Sequence, residues 1–184
     1  MRKVFHAVNS LIIAAGLTWI PSRSMALASL AAIAVALLAL DAARLLNPWA
    51  NELFFRIFRR LASPREARGV ASSTWYMLGV FAAVALFPRA AALSGILVLG
   101  FGDPIAGYVG RRFGTRPFLG GTLEGSLAFF LTGCLILGLG HPVIPTLLVS
   151  LLATLVERRS WPLDDNFTIP VVTSGAITLT AAIL

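Results

Sequence analysis

Long apolar segments separated by short polar ones run through almost the whole chain. Each segment approaches the roughly 20 residues that a helix needs to cross a bilayer. No region shows the alternation of apolar and polar residues that is typical of membrane-barrel strands. The pattern therefore predicts an all-α, polytopic transmembrane bundle in a single domain over residues 1–184. About seven spans are expected, at 5–20, 25–45, 69–88, 90–110, 123–140, 142–157 and 167–184.

A different kind of helix is predicted between the second and third spans. In residues 49–62 the apolar side chains recur every four positions while the charged ones project elsewhere. This pattern is typical of a short amphipathic helix lying in the membrane interface. Directly afterwards, Ser63 and Glu66 have the spacing of a capping box, and Pro64 suits a first helical position. We therefore expect a new helix to start near residue 64 and to continue into the third span.

The composition agrees with a membrane protein. Of the 184 residues, 58% are hydrophobic and 12% are charged, and a soluble domain has about twice that charged fraction. Cys134 is the only cysteine and lies in an apolar span, so no intrachain disulfide is expected. Residues 1–28 have some features of a secretory signal. Another long span follows at once, so we expect these residues to remain in the protein.

The charged residues lie on one side of the predicted membrane. With the start of the chain in the cytoplasm, all but two of the 15 Lys and Arg residues fall in cytoplasmic segments, the exceptions being Arg23 and Arg89. This bias sets the predicted orientation. All 8 acidic residues also fall on or near that face, although acidic residues contribute little to orientation. We therefore expect the chemistry of the protein at the cytoplasmic surface.

The sequence pI of about 11.3 raises the question of nucleic-acid binding, since clustered cations are typical of phosphate recognition. The arginines, however, follow the loops of one membrane face, which topology and anionic lipid headgroups explain. Membrane lipids are therefore expected partners, and nucleic acid is not.

Asp103 is a carboxylate inside an apolar segment that is predicted to cross the membrane. The stretch GFGDPIAGYVGRRFG covers residues 100–114, and Asp103 precedes Arg111 by roughly 12 Å if the segment is helical. An aspartate at mid-bilayer costs about 2.5 to 3.5 kcal/mol, so it needs a partner, a metal or a hydrated cavity. Glycines precede Asp103 and Pro104 follows it, a combination that can restart a helix. We therefore expect a broken helix that lines a cavity.

Structural explanations stay open for two of the acidic residues. Asp103 could be a buried aspartate that only pairs with an arginine. Asp41 and Arg44 are three residues apart near the inner end of the second span. They predict a local ion pair, with a snorkelling arginine and no part in chemistry.

Glycines and arginines follow Asp103 in a pattern suited to phosphates. Glycines let backbone amides approach an anion, and arginines supply the countercharge. The segment GGTLEGS at 120–126 extends this pattern, so the region resembles a polyphosphate cradle. Lys3 is the only lysine, so the lysine-containing phosphate loop of soluble NTPases cannot be built. The residues of the first part are Gly107, Gly110, Arg111, Arg112, Gly114 and Arg116.

The last polar loop, ERRSWPLDDNFTIP, supplies hard oxygen ligands. Asp164, Asp165 and Asn166 suit magnesium, which binds carboxylates together with substrate phosphates. Asn166 could instead only cap the final helix, and exposed pairs of aspartates are common in loops. The loop is stronger evidence for a magnesium site because it is predicted on the same membrane face as Asp103.

Four motifs in order, RKVFH, GDPIAGYVGRRFG, GTLEGS and LDDNFTIP, carry a resemblance to a known family. From about residue 2 to 172 the chain resembles the membrane-embedded CTP-dependent lipid-alcohol kinases. These include dolichol kinase, phytol kinase and the yeast-type diacylglycerol kinase with its bacterial relatives. The resemblance implies an integral, multi-pass membrane enzyme that transfers the γ-phosphoryl group of CTP to the hydroxyl of a lipid alcohol.

The resemblance, with the chemistry above, assigns roles within each motif. The predicted catalytic residues are Asp103, Glu124 and Asp165, and the predicted Mg²⁺ ligands are Asp103, Asp164 and Asp165. Which carboxylate accepts the hydroxyl proton stays open. The apolar bundle is expected to hold the lipid tail. The predicted nucleotide-binding residues are Arg2, Lys3, Gly107, Gly110, Arg111, Arg112, Gly114, Thr122, Ser126 and Asn166.

One departure from the family concerns the nucleotide site. The family usually has a lysine before the Thr or Ser of the motif that reads GTLEGS here, where this chain has Gly121. Arg116 or one of the arginines at 111–112 could replace that lysine, or the affinity for the nucleotide or the choice of donor could differ.

Two other functions stay open as alternatives. A cytidylyltransferase would form a CDP-lipid, but the related CDP-diacylglycerol synthases have a later histidine in a context that His6 and His141 lack. A non-catalytic transporter could also use a broken helix with an intramembrane acid. The pattern does not predict which lipid alcohol is used, whether CTP or ATP is the donor, or whether the chain forms a homo-oligomer.

Overall fold

The computed structural model describes residues 2–59, 61–159 and 163–183, with side chains from residue 5 onward. Within these residues, helices cover each of the seven predicted spans, and a two-stranded antiparallel hairpin lies between the fifth and sixth helices. The predicted all-α bundle is therefore confirmed. The α-helices are α1 (Arg2–Trp19), α2 (Arg23–Leu46), α3 (Pro48–Ile57), α4 (Ser72–Leu86), α5 (Arg89–Phe113), α6 (Leu123–Gly138), α7 (Val143–Arg158) and α8 (Asp165–Ile183). The hairpin strands are β1 (Pro117–Phe118) and β2 (Gly121–Thr122).

Among the described residues, three helices are long and apolar enough to cross a membrane: α2, α5 and α8. The apolar parts of α1, α4 and α6 are shorter. Large apolar side chains also cover the outside of the bundle, as Leu135 and Leu179 illustrate. Such a surface suits contact with lipid tails. The number of crossings and the cytoplasmic orientation stay predictions.

Helix α5 is at the centre of the bundle, where it packs against α1, α4, α6 and α8. Ile96, Val98 and Leu99 of α5 are fully buried, as is Phe129 of α6. Small residues let the helices approach closely. At Gly102, for example, a Cβ atom would come within 2.8 Å of the Phe129 ring. Because α5 carries Asp103, this arrangement brings that carboxylate within reach of several other helices.

The expected break in the helix at Asp103 is wrong. Helix α5 continues from Arg89 to Phe113 with Pro104 inside it. A proline removes one backbone hydrogen bond, but packing against four neighbouring helices outweighs that loss. Asp103 is therefore half-buried on a continuous helix, and it does not cap a new one.

A helix does start near residue 64, as expected, but its expected continuation into the third span is wrong. A short 3₁₀ helix covers Pro64–Arg68, and α4 begins only at Ser72. The Ser63 side chain makes no capping hydrogen bond. The Glu66 carboxylate instead accepts a hydrogen bond from the Ser72 hydroxyl at 2.9 Å. The amphipathic helix α3 is present but ends at Ile57, before the predicted end at residue 62.

The two arginines that depart from the charge bias both bind helix ends. Arg23 donates to the carbonyl oxygens of Val84 and Ala85 at the end of α4, at 3.1 and 3.0 Å. Arg89 donates to the carbonyl oxygen of Ile20, just after α1, at 2.5 Å. The last carbonyl groups of a helix lack partners within it and carry partial negative charge. Local capping therefore explains why arginines occur at this end of the bundle.

Candidate active site

The second and third motif segments meet where α5 ends and α6 begins. The two helices are antiparallel here, so that Gly110 of α5 faces Thr122, and Ala106 faces Gly125. A Cβ atom at Gly110 would come within 2.9 Å of the Thr122 hydroxyl oxygen. That hydroxyl accepts a hydrogen bond from the Gly125 backbone N–H at 3.2 Å and caps α6. These glycines therefore allow close packing of α5 on α6, and their predicted contact with a nucleotide stays a prediction.

The start of α8 lies at the same level of the bundle as Asp103. Gly95 of α5 lies against Pro170 and Ser174 of α8. Asp103 is about 12 Å further along α5, and Asp165 lies a similar distance back along the antiparallel α8. The charges of Asp103 and Asp164 both act on the Asp165 carboxylate. The structure thus brings together the predicted metal ligands of two distant motifs.

Asp164 and Asn166 are bound to each other. Asp164 Oδ1 accepts a hydrogen bond from the Asn166 backbone N–H at 3.0 Å and from the Asn166 side-chain amide at 2.5 Å. The backbone carbonyl of Asp164 accepts from Phe167 and Thr168 at 3.0 and 3.2 Å. Asp164 therefore caps α8, and the buried Asn166 supports this cap.

Arg158, at the end of α7, is the functional candidate that the motifs did not identify. Its guanidinium group lies against Gly121 in β2, so closely that a Cβ atom at position 121 would overlap its Nη1 atom. The charges of Asp103 and Asp165 both act on this group, and Glu157 pairs with it. A cation therefore lies beside Gly121, the position at which the resemblance to the kinase family leads one to expect a lysine.

The other arginines considered for that position lie elsewhere. Arg111 and Arg112 are exposed at the end of α5, and the Arg112 guanidinium lies 5.6 Å from the Phe113 ring centroid. Arg116 is also exposed, in the turn before the hairpin. An arginine seven residues before Asp165 was visible in the sequence, but nothing local linked it to Gly121. Only the packing of α7 against α6 and α8 makes this contact.

Glu124 is bound to the turn that follows α5. Its carboxylate accepts a hydrogen bond from the Thr115 hydroxyl at 2.6 Å and from the Arg116 backbone N–H at 3.3 and 3.4 Å. These contacts connect the end of α5 to the start of α6. Glu124 therefore stabilises the hairpin region, and its catalytic role stays a prediction.

Helix α1 brings the first motif next to α5. Arg2 and Lys3 belong to α1, but their side chains, like the whole of Arg60, lie outside the described part of the structure. Gly100 of α5 lies against Ser10 and His6 of α1, one turn of α5 before Asp103. The first turns of α1 are therefore close to the level of the carboxylates.

Two further residues that were predicted to bind the nucleotide, Gly107 and Ser126, lie within α5 and α6. Gly107 is half-buried within α5. Ser126 is buried, and its hydroxyl has no hydrogen-bond partner within the described residues. A buried polar atom without a partner is unfavourable. Ser126 is the last residue of the GTLEGS motif, and it therefore stays of interest as a predicted nucleotide-binding residue.

The carboxylates suit a cation that arrives with a substrate. Within the described residues, no group of three His, Cys, Asp or Glu side chains could hold a metal ion by itself. Magnesium, however, is usually bound by one or two carboxylates together with substrate phosphates. Asp103 and Asp165, whose charges interact, stay the predicted ligands of such a cation.

Comparison with known proteins gives a small group of relatives. No protein-family model and no solved structure match the chain. It is 28% identical over 206 residues to CTP-dependent diacylglycerol kinase 1 of Eremothecium gossypii, and this match covers 94% of the chain and 64% of that protein. The chain thus spans less than two thirds of that relative. It is 25% identical to CTP-dependent diacylglycerol kinase 1 of Saccharomyces cerevisiae, covering 94% and 70%. An uncharacterized protein of Rickettsia prowazekii is 28% identical, covering 92% and 88%.

Proposed function

We propose that the chain is a membrane-bound lipid kinase that transfers the γ-phosphoryl group of CTP to the hydroxyl of a lipid alcohol at the cytoplasmic face. The observation that carries the proposal is the charge group formed by Asp103 of α5, Arg158 of α7 and Asp165 of α8. Phosphoryl transfer depends mainly on positioning and on neutralising charge, and this group offers both signs of charge at one end of the bundle. Relatives named CTP-dependent diacylglycerol kinase support the same reaction.

The reaction assigns separate tasks to these residues. The lipid hydroxyl oxygen forms a bond to the γ-phosphorus, and the bond between that phosphorus and the β-bridging oxygen breaks. CDP leaves with the electron pair of the broken bond. The hydroxyl proton passes to a carboxylate, for which Asp165 and Glu124 are the candidates, and then to water. Arg158 binds phosphate oxygens, as do the predicted Arg2, Lys3, Arg111 and Arg112.

Magnesium fits the proposal as an ion carried by the nucleotide. Asp103 would hold it together with Asp164 or Asp165. When bound, it supplies positive charge between the β- and γ-phosphates. The role of Asp164 as the cap of α8 favours Asp165 as the second ligand, and Glu124 would then be the acceptor of the hydroxyl proton.

Diacylglycerol is the first lipid alcohol to test because two relatives are named for it. Phytol and polyprenols belong in the same panel, since the expected tail contacts are only apolar. Purified protein in mixed micelles is incubated with Mg²⁺ and with CTP that is labelled in either the γ- or the α-phosphate. A kinase transfers the γ-label to the lipid and leaves the α-label in CDP. Phosphatidic acid is added to the panel as the acceptor that a cytidylyltransferase needs. Transfer of the α-label to phosphatidic acid, with release of pyrophosphate and no transfer of the γ-label to an alcohol, identifies a cytidylyltransferase and overturns the proposal.

The substitution Asp103→Asn keeps the shape of the side chain and removes its charge. We expect it to lower phosphorylation by at least about a hundredfold, because a ligand of the phosphate-bound cation is lost. Glu52→Gln, on the exposed side of α3, is the matched control and should retain full activity. Normal membrane insertion and wild-type activity of Asp103→Asn would exclude this residue from the site.

A further inference from the structure

A cavity of about 650 Å³ lies between α1, α2, α3 and the start of α4. Among the residues with described side chains, those assigned above to phosphoryl transfer do not line it. Its volume is within the range of roughly 300–1,000 Å³ that is typical of small-molecule sites. The walls are mostly apolar, and they include Ile12, Ile13, Ile33, Leu37, Leu53 and Phe54.

The cavity has a polar side, where Arg44 is buried and fully engaged. Its Nε atom donates to Asp41 Oδ1 at 2.6 Å. Its Nη atoms donate to the backbone carbonyls of Glu66 and Gly69, both at 2.7 Å, and to Asn51 Oδ1 at 3.1 Å. Arg44 therefore has little capacity left for a ligand, and it does not snorkel to water as the sequence suggested.

Asp41 is engaged in the same network. Its Oδ2 atom accepts hydrogen bonds from the Ala71 backbone N–H at 2.9 Å and from the Thr74 hydroxyl at 2.6 Å. Its Oδ1 atom pairs with Arg44. The predicted ion pair is thus confirmed, and it joins α2 to the segment that leads into α4.

The charges around the cavity disfavour an anionic ligand. Among the described lining residues, Arg44 is the only Lys or Arg, whereas Asp41 and Glu66 are both carboxylates. A phosphate headgroup in this cavity would meet carboxylates and a cation that is already paired, and it would lose its hydration without compensation. An uncharged hydroxyl group loses much less hydration free energy on burial than a phosphate does. The cavity therefore favours a lipid with an uncharged headgroup.

Two further polar side chains lie on the α1 side of the cavity. His6 and Asn9 line it, and the His6 ring contacts the edge of Tyr76, with 5.6 Å between the ring centroids. The Tyr76 hydroxyl is hydrogen bonded to Ser10 at 2.8 Å. Ser10 and the His6 backbone lie against Gly100, and Asp103 is about 4.5 Å further along α5. The His6 side of the cavity therefore lies close to Asp103, one of the carboxylates assigned to phosphoryl transfer.

We infer that this cavity binds the lipid alcohol, with its apolar chain between α1, α2 and α3 and its hydroxyl toward His6 and Asn9. This inference deepens the proposed function, because it names the position and the charge of the lipid substrate. Binding of the lipid does not require CTP, so it can be tested without turnover.

The binding test uses a diacylglycerol that carries a photoreactive diazirine in one acyl chain. The matching phosphatidic acid carries the same chain and serves as the anionic comparison. Both are irradiated with the purified full chain in micelles, without nucleotide, and the labelled peptides are mapped. We expect the diacylglycerol to label residues of the cavity and unlabelled diacylglycerol to compete. Equal labelling by phosphatidic acid, or labelling only of the outer surface, would mean that the cavity holds bulk lipid.

Substitutions that fill the cavity give a second readout. Ala43→Trp and Ala50→Trp add a large side chain to its lining, and neither replaces a buried residue. The matched control is Ala42→Trp, next to Ala43 on α2, exposed and outside the lining. We expect the cavity variants to raise the KM for diacylglycerol about tenfold or more, with the KM for CTP unchanged.

The outcomes separate this inference from the proposed activity. Loss of photolabelling in Ala43→Trp and Ala50→Trp, but not in Ala42→Trp, supports the lipid site even if no phosphoryl transfer occurs. Full labelling and an unchanged lipid KM in both cavity variants would overturn the site while leaving the kinase activity intact.

Discussion

Arg158 is the side chain whose surroundings suggest the most informative substitution. Its guanidinium lies against Gly121 and interacts with Asp103 and Asp165. We expect Arg158→Ala to raise the KM for CTP by about 10- to 100-fold, because a cation that binds phosphates is lost. The measurement is the KM for CTP at saturating lipid, together with the unfolding temperature of each variant.

A second substitution tests whether the site needs a cation or specifically Arg158. A Cβ atom at position 121 would overlap only the flexible end of the Arg158 side chain, so we expect Gly121→Lys alone to displace that guanidinium without unfolding the protein. Combined with Arg158→Ala, the same lysine should recover part of the affinity for CTP. A wild-type KM in a stably folded Arg158→Ala variant would exclude a role in phosphate binding.

The sequence pointed to the acidic residues of the candidate site more clearly than to its candidate cation. Asp103 stood out because a carboxylate is costly near lipid, and Asp164 and Asp165 stood out because paired carboxylates suit magnesium. Arg158 did not stand out, because arginines are common at the cytoplasmic ends of membrane helices. Its position depends on how α7 packs in three dimensions, which no local pattern encodes.

The ion pair of Asp41 and Arg44 stabilises the connection between α2, α3 and α4. Removing one partner of a buried pair leaves an uncompensated charge, which costs about 3 to 5 kcal/mol. We therefore expect Asp41→Asn to lower the unfolding temperature strongly, as measured by thermal unfolding in detergent. Glu52→Gln is the control, since it removes an exposed carboxylate from α3. Equal unfolding temperatures for the two variants would show that the network contributes little.

The helices were predictable because apolar length and spacing are strong, local signals. The break in the helix at residues 69–71, before α4, and the hairpin at 117–122 could not be predicted, because each depends on contacts between elements. Glu66, for example, matched a capping box but binds the Ser72 hydroxyl in the structure. The continuity of α5 across Pro104 likewise reflects packing on four sides, which outweighs the local preference for a break.

The orientation of the whole bundle can be tested with single cysteines. Cys134 is the only cysteine in the chain, so Cys134→Ser provides a background for Leu163→Cys, beside the carboxylates, and Gly140→Cys, at the opposite helix ends. Both positions are exposed. From the positive-inside bias, we expect an impermeant maleimide to label Leu163→Cys only from the cytoplasmic side and Gly140→Cys only from the other side. The reverse result would place the candidate site on the membrane face opposite to the cytoplasm and would contradict the predicted orientation.

The engaged state of Arg44 has a consequence for the direction of turnover. In the proposed reaction the alcohol enters as a neutral molecule, and phosphorylation would give it two negative charges. Among the described residues that line the cavity, Arg44 is the only Lys or Arg and it is already paired, so we expect the product to leave toward the headgroup layer. A bundle with this charge arrangement would avoid inhibition by its own lipid phosphate.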